Sequence, residues 1–289
     1  MKMKISYLGP KGTFTKMAVD ALFPDEEAYS YATIPQCMDA VANGEMDYCV
    51  VPVENTIEGT VPITMDYLIH QVKLPIIGEI VIPIRQHLLT NKKLALHDIE
   101  AVYSHSHAIA QCHQFLHTQL PQATTHATSS TGTAAEMVAA MEEPAAAIGN
   151  ELAAKEFGLT ILQEDIHDYA NNHTRFFVLA KQKTNIPLTI GSGDQRKTSL
   201  YVTLPHDYAG ALHQVLAAFA WRKINMSKIE SRPMKTGLGN YFFIMDVSCE
   251  AEDILFQGVQ QELAALGCDL TVLGSYPIHQ YKEKAGANL

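Results

Sequence analysis

A chain of 289 residues is longer than one hydrophobic core usually supports, so two domains are expected. Apolar residues make up 47% of it without any run long enough to span a membrane, which describes a soluble globular protein. The formal net charge of −10, with no basic stripe, argues against nucleic acid and against an anionic membrane surface as partners. Positive potential for an anionic ligand must then be local, from helix N-termini, backbone amides and a few Arg or Lys side chains. The five cysteines are scattered and form no C-x-x-C pair, which fits free thiols in a reducing compartment. The first residues lack the apolar run of a secretory signal, so a cytoplasmic location is expected.

Strand and helix signals alternate through the first part. Ile5-Ser6-Tyr7-Leu8 reads as a strand, followed by the turn Gly9-Pro10-Lys11-Gly12 and a helix over residues 15–22. A second helix is expected over residues 35–43, stopped by Gly44. Apolar strands follow at residues 48–53, 76–83, 101–103 and 145–148, and Phe177-Val178-Leu179-Ala180 reads as another, entered from the polar run Asn171-Asn172-His173-Thr174-Arg175-Phe176. Short apolar strands between helices favour a parallel, helix-covered α/β sheet. Residues 182–197, with Pro187 and Gly191-Ser192-Gly193-Asp194, read as a linker. Beyond it the order is β-α-β-β-α-β: strands at 199–204, 225–231, 240–247 and 270–273, helices at 210–222 and 254–266, which is the ferredoxin-like arrangement.

Candidate site residues gather where strands end. Gly9-Pro10-Lys11-Gly12-Thr13-Phe14-Thr15 joins a strand to a helix, so Thr13 or Thr15 can cap and free amides can meet an anion; the bland reading is a capped turn. Val53-Glu54-Asn55-Thr56-Ile57-Glu58-Gly59 places polar groups at the carboxyl end of a strand, the edge where open α/β sheets bind ligands. Glu54 and Glu58 resemble an acid/base pair, but nothing in the sequence fixes their separation. Tyr103-Ser104-His105-Ser106-His107 leads to Gln111, His113 and His117. A metal site at these histidines is set aside because no Cys or carboxylate joins at ligand spacing; Ser104 and Gln111 instead suit neutral hydrogen bonding. Thr128-Ser129-Ser130-Thr131 adds hydroxyls before a further helix. Arg175 offers a planar fork for a carboxylate and Phe176 a face for packing. No Gly-x-Ser-x-Gly elbow or Ser/His/Asp signature is present.

Taken together these residues resemble the prephenate dehydratases that carry a C-terminal ACT regulatory domain. The resemblance is carried by Gly9-Pro10-Lys11-Gly12-Thr13-Phe14, Val53-Glu54-Asn55-Thr56, Tyr103-Ser104-His105 with Gln111, Thr174-Arg175-Phe176, Gly210-Ala211-Leu212 and Glu230-Ser231-Arg232-Pro233, in that order. It implies a two-lobed α/β catalytic domain like a type 2 periplasmic binding protein over residues 1–181, a linker over 182–197, and a βαββαβ ACT domain over 198–278. It also implies decarboxylating dehydration of prephenate to phenylpyruvate, without a cofactor or metal, in L-phenylalanine biosynthesis. Carried over residue by residue, Thr174 is the essential hydroxyl, with Asn55, Ser104 and Gln111 as its catalytic companions. Arg175, Phe176, Thr13, Phe14, Thr56 and Ser129 contact the substrate. L-phenylalanine is expected as the allosteric inhibitor at Gly210, Ala211, Leu212, Glu230, Ser231, Arg232 and Pro233, between the subunits of a homodimer or a dimer of dimers. Two positions depart from many relatives: His213 follows the Gly-Ala-Leu run, and Ala209 precedes it where proline is common. Arogenate dehydration and a non-enzymatic ligand-binding module are the alternatives.

Overall fold

The computed structural model describes residues 2–182, 195–206, 208–233 and 241–281. These fall into two compact units. Of the described residues, the first comprises 2–73, Ile80–Phe177 and Tyr281, and the second comprises Leu74–Glu79 and those from Val178 to Gln280.

In chain order the first elements are β1 (Lys4–Leu8), α1 (Phe14–Leu22), β2 (Glu27–Tyr31), α2 (Ile34–Ala42), β3 (Tyr48–Asn55), β4 (Gly59–Thr60), α3 (Pro62–His70) and β5 (Ile76–Pro83). They continue with β6 (His87–Thr90), β7 (Ala101–His105), α4 (Ser106–Gln111), α5 (His113–Gln119), β8 (Thr124–Thr128), α6 (Thr131–Ala139), β9 (Ala145–Gly149), α7 (Glu151–Phe157), β10 (Thr160–Gln163) and β11 (His173–Ala180). Within the first unit one sheet has the neighbours β11-β3-β1-β2, and β1 pairs in parallel with both β2 and β3. A second sheet runs β10-β6-β9-β7-β8.

Local chemistry explains the elements. Thr13 caps α1 by accepting from the Lys16 amide, and the helix buries Met17, Ala18, Val19 and Leu22 on one face. In the second sheet, β9 is buried along its whole length as Ala-Ala-Ala-Ile-Gly. Its small side chains admit the helix α6, whose Ala134, Ala135 and Val138 share a core with Ala145 and Ala147. The parallel pairing expected holds for β7 with β8 and β9, whereas β6 runs antiparallel to both β9 and β10. β2, β8 and β10 carry no fully apolar run, which is why periodicity did not reveal them. β11 starts at His173, so Thr174, Arg175 and Phe176 belong to the strand and not to a loop before it.

The second unit contains β12 (Arg196–Thr203), α8 (Ala211–Ala220), β13 (Met226–Pro233), β14 (Tyr241–Val247), α9 (Ile254–Ala265) and β15 (Asp269–Gln280). The strand order β13-β14-β12-β15 with two helices is the ferredoxin-like βαββαβ fold expected. Val215, Ala218 and Phe219 of α8 and Phe256, Val259 and Leu263 of α9 pack on Leu200, Val202, Met245 and Val247 of the sheet. Such side chains contribute ~1.5–3 kcal/mol each when fully buried. β12 begins at Arg196, inside the span read as a linker, and residues 183–194 of that span lie outside the described residues.

Residues 76–79 of β5 and 178–180 of β11 belong to this unit, whereas the remainder of each strand belongs to the first. Gly274 lets β15 approach this part of β5, since a Cβ there would fall 2.1 Å from the Ile76 carbonyl oxygen. Beside that approach lies a buried polar cluster. Lys197 Nζ donates to both oxygens of Glu79, at 3.0 and 3.2 Å, and Tyr276 Oη donates to Glu79 at 3.4 Å. Ser199 Oγ lies 2.6 Å from Tyr276 Oη and donates to Asp246 at 2.5 Å. All five residues are at most 9% exposed.

Candidate active site

The site forms where the end of β3 meets the start of β11. The strands are pinned through Thr56 and His173: the Thr56 amide donates to the His173 carbonyl at 2.9 Å, and the Thr56 side-chain Oγ1 both donates to that carbonyl and accepts from the His173 amide. The Ile84 amide donates to the Asn172 carbonyl at 2.8 Å, fixing the residue that precedes the strand.

Three amide side chains then link into one chain of hydrogen bonds. Asn55 Nδ2 donates to Thr174 Oγ1 and to Asn172 Oδ1, each at 2.9 Å, with a longer contact of 3.3 Å to the His173 carbonyl. Asn55 Oδ1 accepts from the backbone amides of Ile57 and Glu58 at 2.9 and 3.0 Å. Asn172 Nδ2 donates to Gln111 Oε1 at 3.0 Å, and Gln111 Nε2 donates to Glu58 Oε1 at 3.4 Å. Thr174, Asn172 and Gln111 are buried at 9%, 2% and 7% exposure, so these bonds are sheltered from competing water.

Charged groups flank this neutral chain. Arg175 Nη1 lies 2.5 Å from Glu54 Oε2, and its guanidinium carbon stands 5.9 Å from the centre of the Phe177 ring. His107 Nδ1 lies 3.6 Å from Glu58 Oε2, and the His105 and His107 rings meet edge to face. Burial, reinforced by the neighbouring His107 charge, lowers the His105 pKa against the opposing pull of Glu58. The two carboxylates that resembled an acid/base pair are thus engaged separately, Glu54 with Arg175 and Glu58 with His107 and Gln111.

Of the residues expected at the site, the structure joins Asn55, Gln111 and Thr174 in one hydrogen-bonded chain, with Thr56 and Arg175 beside it. Ser104 is not joined to it. Its hydroxyl is fully buried and donates to the Ile148 carbonyl at 2.7 Å, tying β7 to β9. Phe176 is 1% exposed, and the pleat turns it into the core instead of toward a ligand. Thr13 Oγ1 accepts from the Lys16 amide and donates to the Pro10 carbonyl, so the capping reading describes it. Ser129 is exposed at the start of α6, 3.2 Å from Thr133 Oγ1. Phe14 lines a different pocket, with Pro83, Arg85, His87 and Asn150. His113 and His117 stack with ring centres 6.0 Å apart, and among the described residues no group of His, Cys, Asp or Glu is arranged to hold a metal ion.

Asn172 was given no role by sequence reasoning, and Glu58 was weighed only as half of an acid/base pair with Glu54. Both sat inside runs already singled out, but the sequence does not say which of two adjacent asparagines points inward. The structure leaves Asn171 exposed and buries Asn172.

In the second unit, Gly210 precedes α8 with φ of +94°, a left-handed conformation that favours glycine, and Ala211 is buried beneath it. Glu230, Ser231, Arg232 and Pro233 end the edge strand β13, where Arg232 Nε lies 2.8 Å from Glu230 Oε1. Ala209 and His213, the two departures, are exposed.

Comparison with known proteins bears on both units. Residues 5–184 match the sequence model of the family described as prephenate dehydratase. The prephenate dehydratase of Bacillus subtilis is 48% identical over 287 residues, covering 96% of this chain and all of that one. Among solved structures, the prephenate dehydratase of Arthrobacter aurescens in complex with L-Phe is 35% identical with a TM-score of 0.84, covering 94% of this chain and 89% of that one. That of Staphylococcus aureus is 32% identical with a TM-score of 0.82, over 95% of this chain and all of that one. The chain belongs to the prephenate dehydratase family.

Proposed function

We propose that Thr174, held by Asn55, supplies the hydrogen bond that carries the leaving hydroxyl in the chain's conversion of prephenate to phenylpyruvate, carbon dioxide and water. The supporting observation is the direction of one hydrogen bond: Asn55 Nδ2 donates to Thr174 Oγ1, and the threonine's own proton has no acceptor among the described residues. Accepting a bond from Asn55 makes that O–H a better donor.

The chemistry asks for placement of charge more than for a strong acid. As the bond to the ring carboxylate breaks, its electron pair enters the ring, the ring becomes aromatic, and the C–O pair leaves with the hydroxyl oxygen. A proton from solvent completes the water. The developing negative charge on the departing oxygen is met by Thr174, while Arg175 holds a carboxylate of the dianion. Arg175 is held by Glu54 in the structure, so a substrate carboxylate shares or displaces that partner. Asn55 and Gln111 orient the groups around it.

Thr174→Ala is expected to lower kcat by about 10²–10⁴-fold, roughly 3–5 kcal/mol of transition-state stabilisation. Ultraviolet detection of phenylpyruvate measures it, and turnover near the wild-type rate would remove Thr174 from this role. Parallel assays with arogenate, which carries an amine in place of the keto group, decide between the two substrates.

The βαββαβ unit is the proposed seat of feedback inhibition, with L-phenylalanine bound at Gly210-Ala211-Leu212 and Glu230-Ser231-Arg232-Pro233 between subunits. β13, at the sheet edge with Ile229 44% exposed, is a surface on which a second copy can add in a dimer or dimer of dimers. Calorimetry on the full chain is expected to show L-phenylalanine binding that Ser231→Trp abolishes while prephenate turnover persists. Light scattering reads the oligomeric state. Full binding in that variant places the effector elsewhere.

A further inference from the structure

The amide chain beside Thr174 has a sense of direction, and both of its ends are fixed by groups that cannot reverse. At one end two backbone amides, Ile57 and Glu58, donate to Asn55 Oδ1. A backbone N–H is a donor only, so the Asn55 amide must turn its NH2 toward Asn172 and Thr174. At the other end stands the Glu58 carboxylate, an acceptor only, which draws Nε2 of Gln111 toward itself. Asn172 joins the ends. It accepts from Asn55 with Oδ1 and donates to Gln111 with Nδ2. Every member therefore has one allowed orientation, and the sum of these choices makes Thr174 Oγ1 an acceptor toward the protein and a donor toward whatever lies in front of it.

We propose that Asn172 and Glu58 are positioning residues for the dehydratase reaction: with Asn55 already oriented by two backbone donors, they complete the chain beyond it, Glu58 orienting Gln111 and Gln111 holding Asn172 Oδ1 on Asn55, so that Asn55 stays on Thr174 Oγ1 and the Thr174 proton stays available to the leaving hydroxyl. Neither touches the reacting atoms in this account, and the proposal rests on the role given to Thr174 above. Glu58 contributes twice, through its backbone amide at the Asn55 end and through its carboxylate at the Gln111 end. His107 Nδ1, 3.6 Å from Glu58 Oε2, steadies that carboxylate.

Polarity makes a sharper prediction than proximity does. Asn172→Asp keeps the size of the side chain but removes its donor. The introduced carboxylate still accepts from Asn55, yet it now faces Gln111 Oε1, acceptor against acceptor. Gln111 relieves this by reversing its amide, which turns Oε1 against the Glu58 carboxylate. Glu58→Gln removes that second conflict by offering an N–H. The double variant therefore has a complete set of bonds running to the introduced carboxylate, with net charge equal to the wild type.

The expected result is a kcat lowered about 100-fold in Asn172→Asp and about three- to tenfold in Glu58→Gln, with KM for prephenate within about threefold in both. The double variant is expected to recover about tenfold over Asn172→Asp, a non-additivity that a merely structural lesion does not produce. Circular dichroism and the midpoint of thermal unfolding check that each variant is folded. In a Thr174→Ala background, Asn172→Asp is expected to lower the residual rate by less than about threefold, because the group it serves is already gone. Should Asn172→Asp fail to fold, Glu58→Met on the partly exposed partner carries the decision, with a fall of about three- to tenfold in kcat, KM unchanged, and no further fall in the Thr174→Ala background. Failure of the double variant to recover, a change confined to KM, or full additivity with Thr174→Ala overturns the proposal. If Thr174→Ala itself turns over at the wild-type rate, the underlying role of Thr174 fails first. If it does not, and the rescue is absent, only the polarity proposal falls.

Discussion

Two buried polar networks, one in each unit, solve the problem of burying hydrogen-bonding groups in opposite ways. The chain beside Thr174 is built mainly from neutral amides, each able to face either way. The cluster in the second unit contains a lysine, two carboxylates, a serine and a tyrosine at hydrogen-bonding distances of 2.5–3.4 Å. An ion pair carries its own direction and needs no outside anchor, but removing it from water costs several kcal/mol per ion. Neutral amides are cheaper to bury and take their direction from their neighbours. The proposed task of Thr174, presenting one proton in a fixed direction, is served by the neutral amides. A strand held in one register against its sheet is served by the ion pair.

Breaking the charged cluster is the largest test of this contrast. Lys197→Met leaves Glu79 buried at 1% exposure without its cation and is expected to destabilise the fold by about 3–5 kcal/mol. Denaturant unfolding measures this, and Glu79→Met added to it is expected to return most of the loss. A Lys197→Met protein as stable as the wild type would mean that the pair contributes no organisation.

The matching change in the amide chain is expected to show the reverse balance. Gln111→Leu should lower kcat about tenfold, near 1.4 kcal/mol, while its effect on unfolding stays in the range of about 1–2 kcal/mol for an amide left without one partner. A variant with normal turnover and severely reduced stability would place Gln111 with the structural residues.

The smallest effect concerns pH. His279 of β15 is 2% exposed, and neither ring nitrogen has a hydrogen-bond partner among the described residues. Burial lowers its pKa, as it does for His87 and His105. A folded-state value below the unfolded one means the native state holds the neutral ring. Stability is therefore full above the unfolded value of about 6.5 and is lost as pH falls from there toward the lowered folded values. His279→Leu is expected to flatten part of that decline, read as the thermal midpoint between about pH 7.5 and 5. An unchanged slope would show that His279 takes up no proton on unfolding in that range.

Sequence reading located the α/β and βαββαβ parts because their strands carry apolar runs and their helices carry periodic faces, as in residues 76–83 and 254–265. It missed β2, β8 and β10, whose residues are largely exposed and lack such runs, and also the buried β6, whose apolar run is only Leu88-Leu89. At the site, Asn55, Gln111 and Thr174 were legible as polar groups at element ends. Ser104 had the same appearance, but its hydroxyl bonds to the backbone of the adjacent strand, and no local pattern distinguishes those two fates. Phe176 followed from the pleat once the strand was known to begin at His173: Thr174 and Phe176 share a parity, and at Phe176 that face lies in the core. Asn172 required tertiary information, since its partners Asn55 and Gln111 are 117 and 61 residues away along the chain.

The division of β5 and β11 between the two units has a consequence for anyone transplanting the βαββαβ unit onto another enzyme. A cassette cut at the linker would carry Lys197, Ser199, Asp246 and Tyr276 but leave behind the end of β11 from Val178 and residues 74–79 with Glu79. The graft would then bring an orphaned lysine and an uncovered strand edge into its new host. A working cassette needs its cut moved back to Val178 and the six residues 74–79 supplied as a separate insertion, far upstream in the recipient's own reading frame.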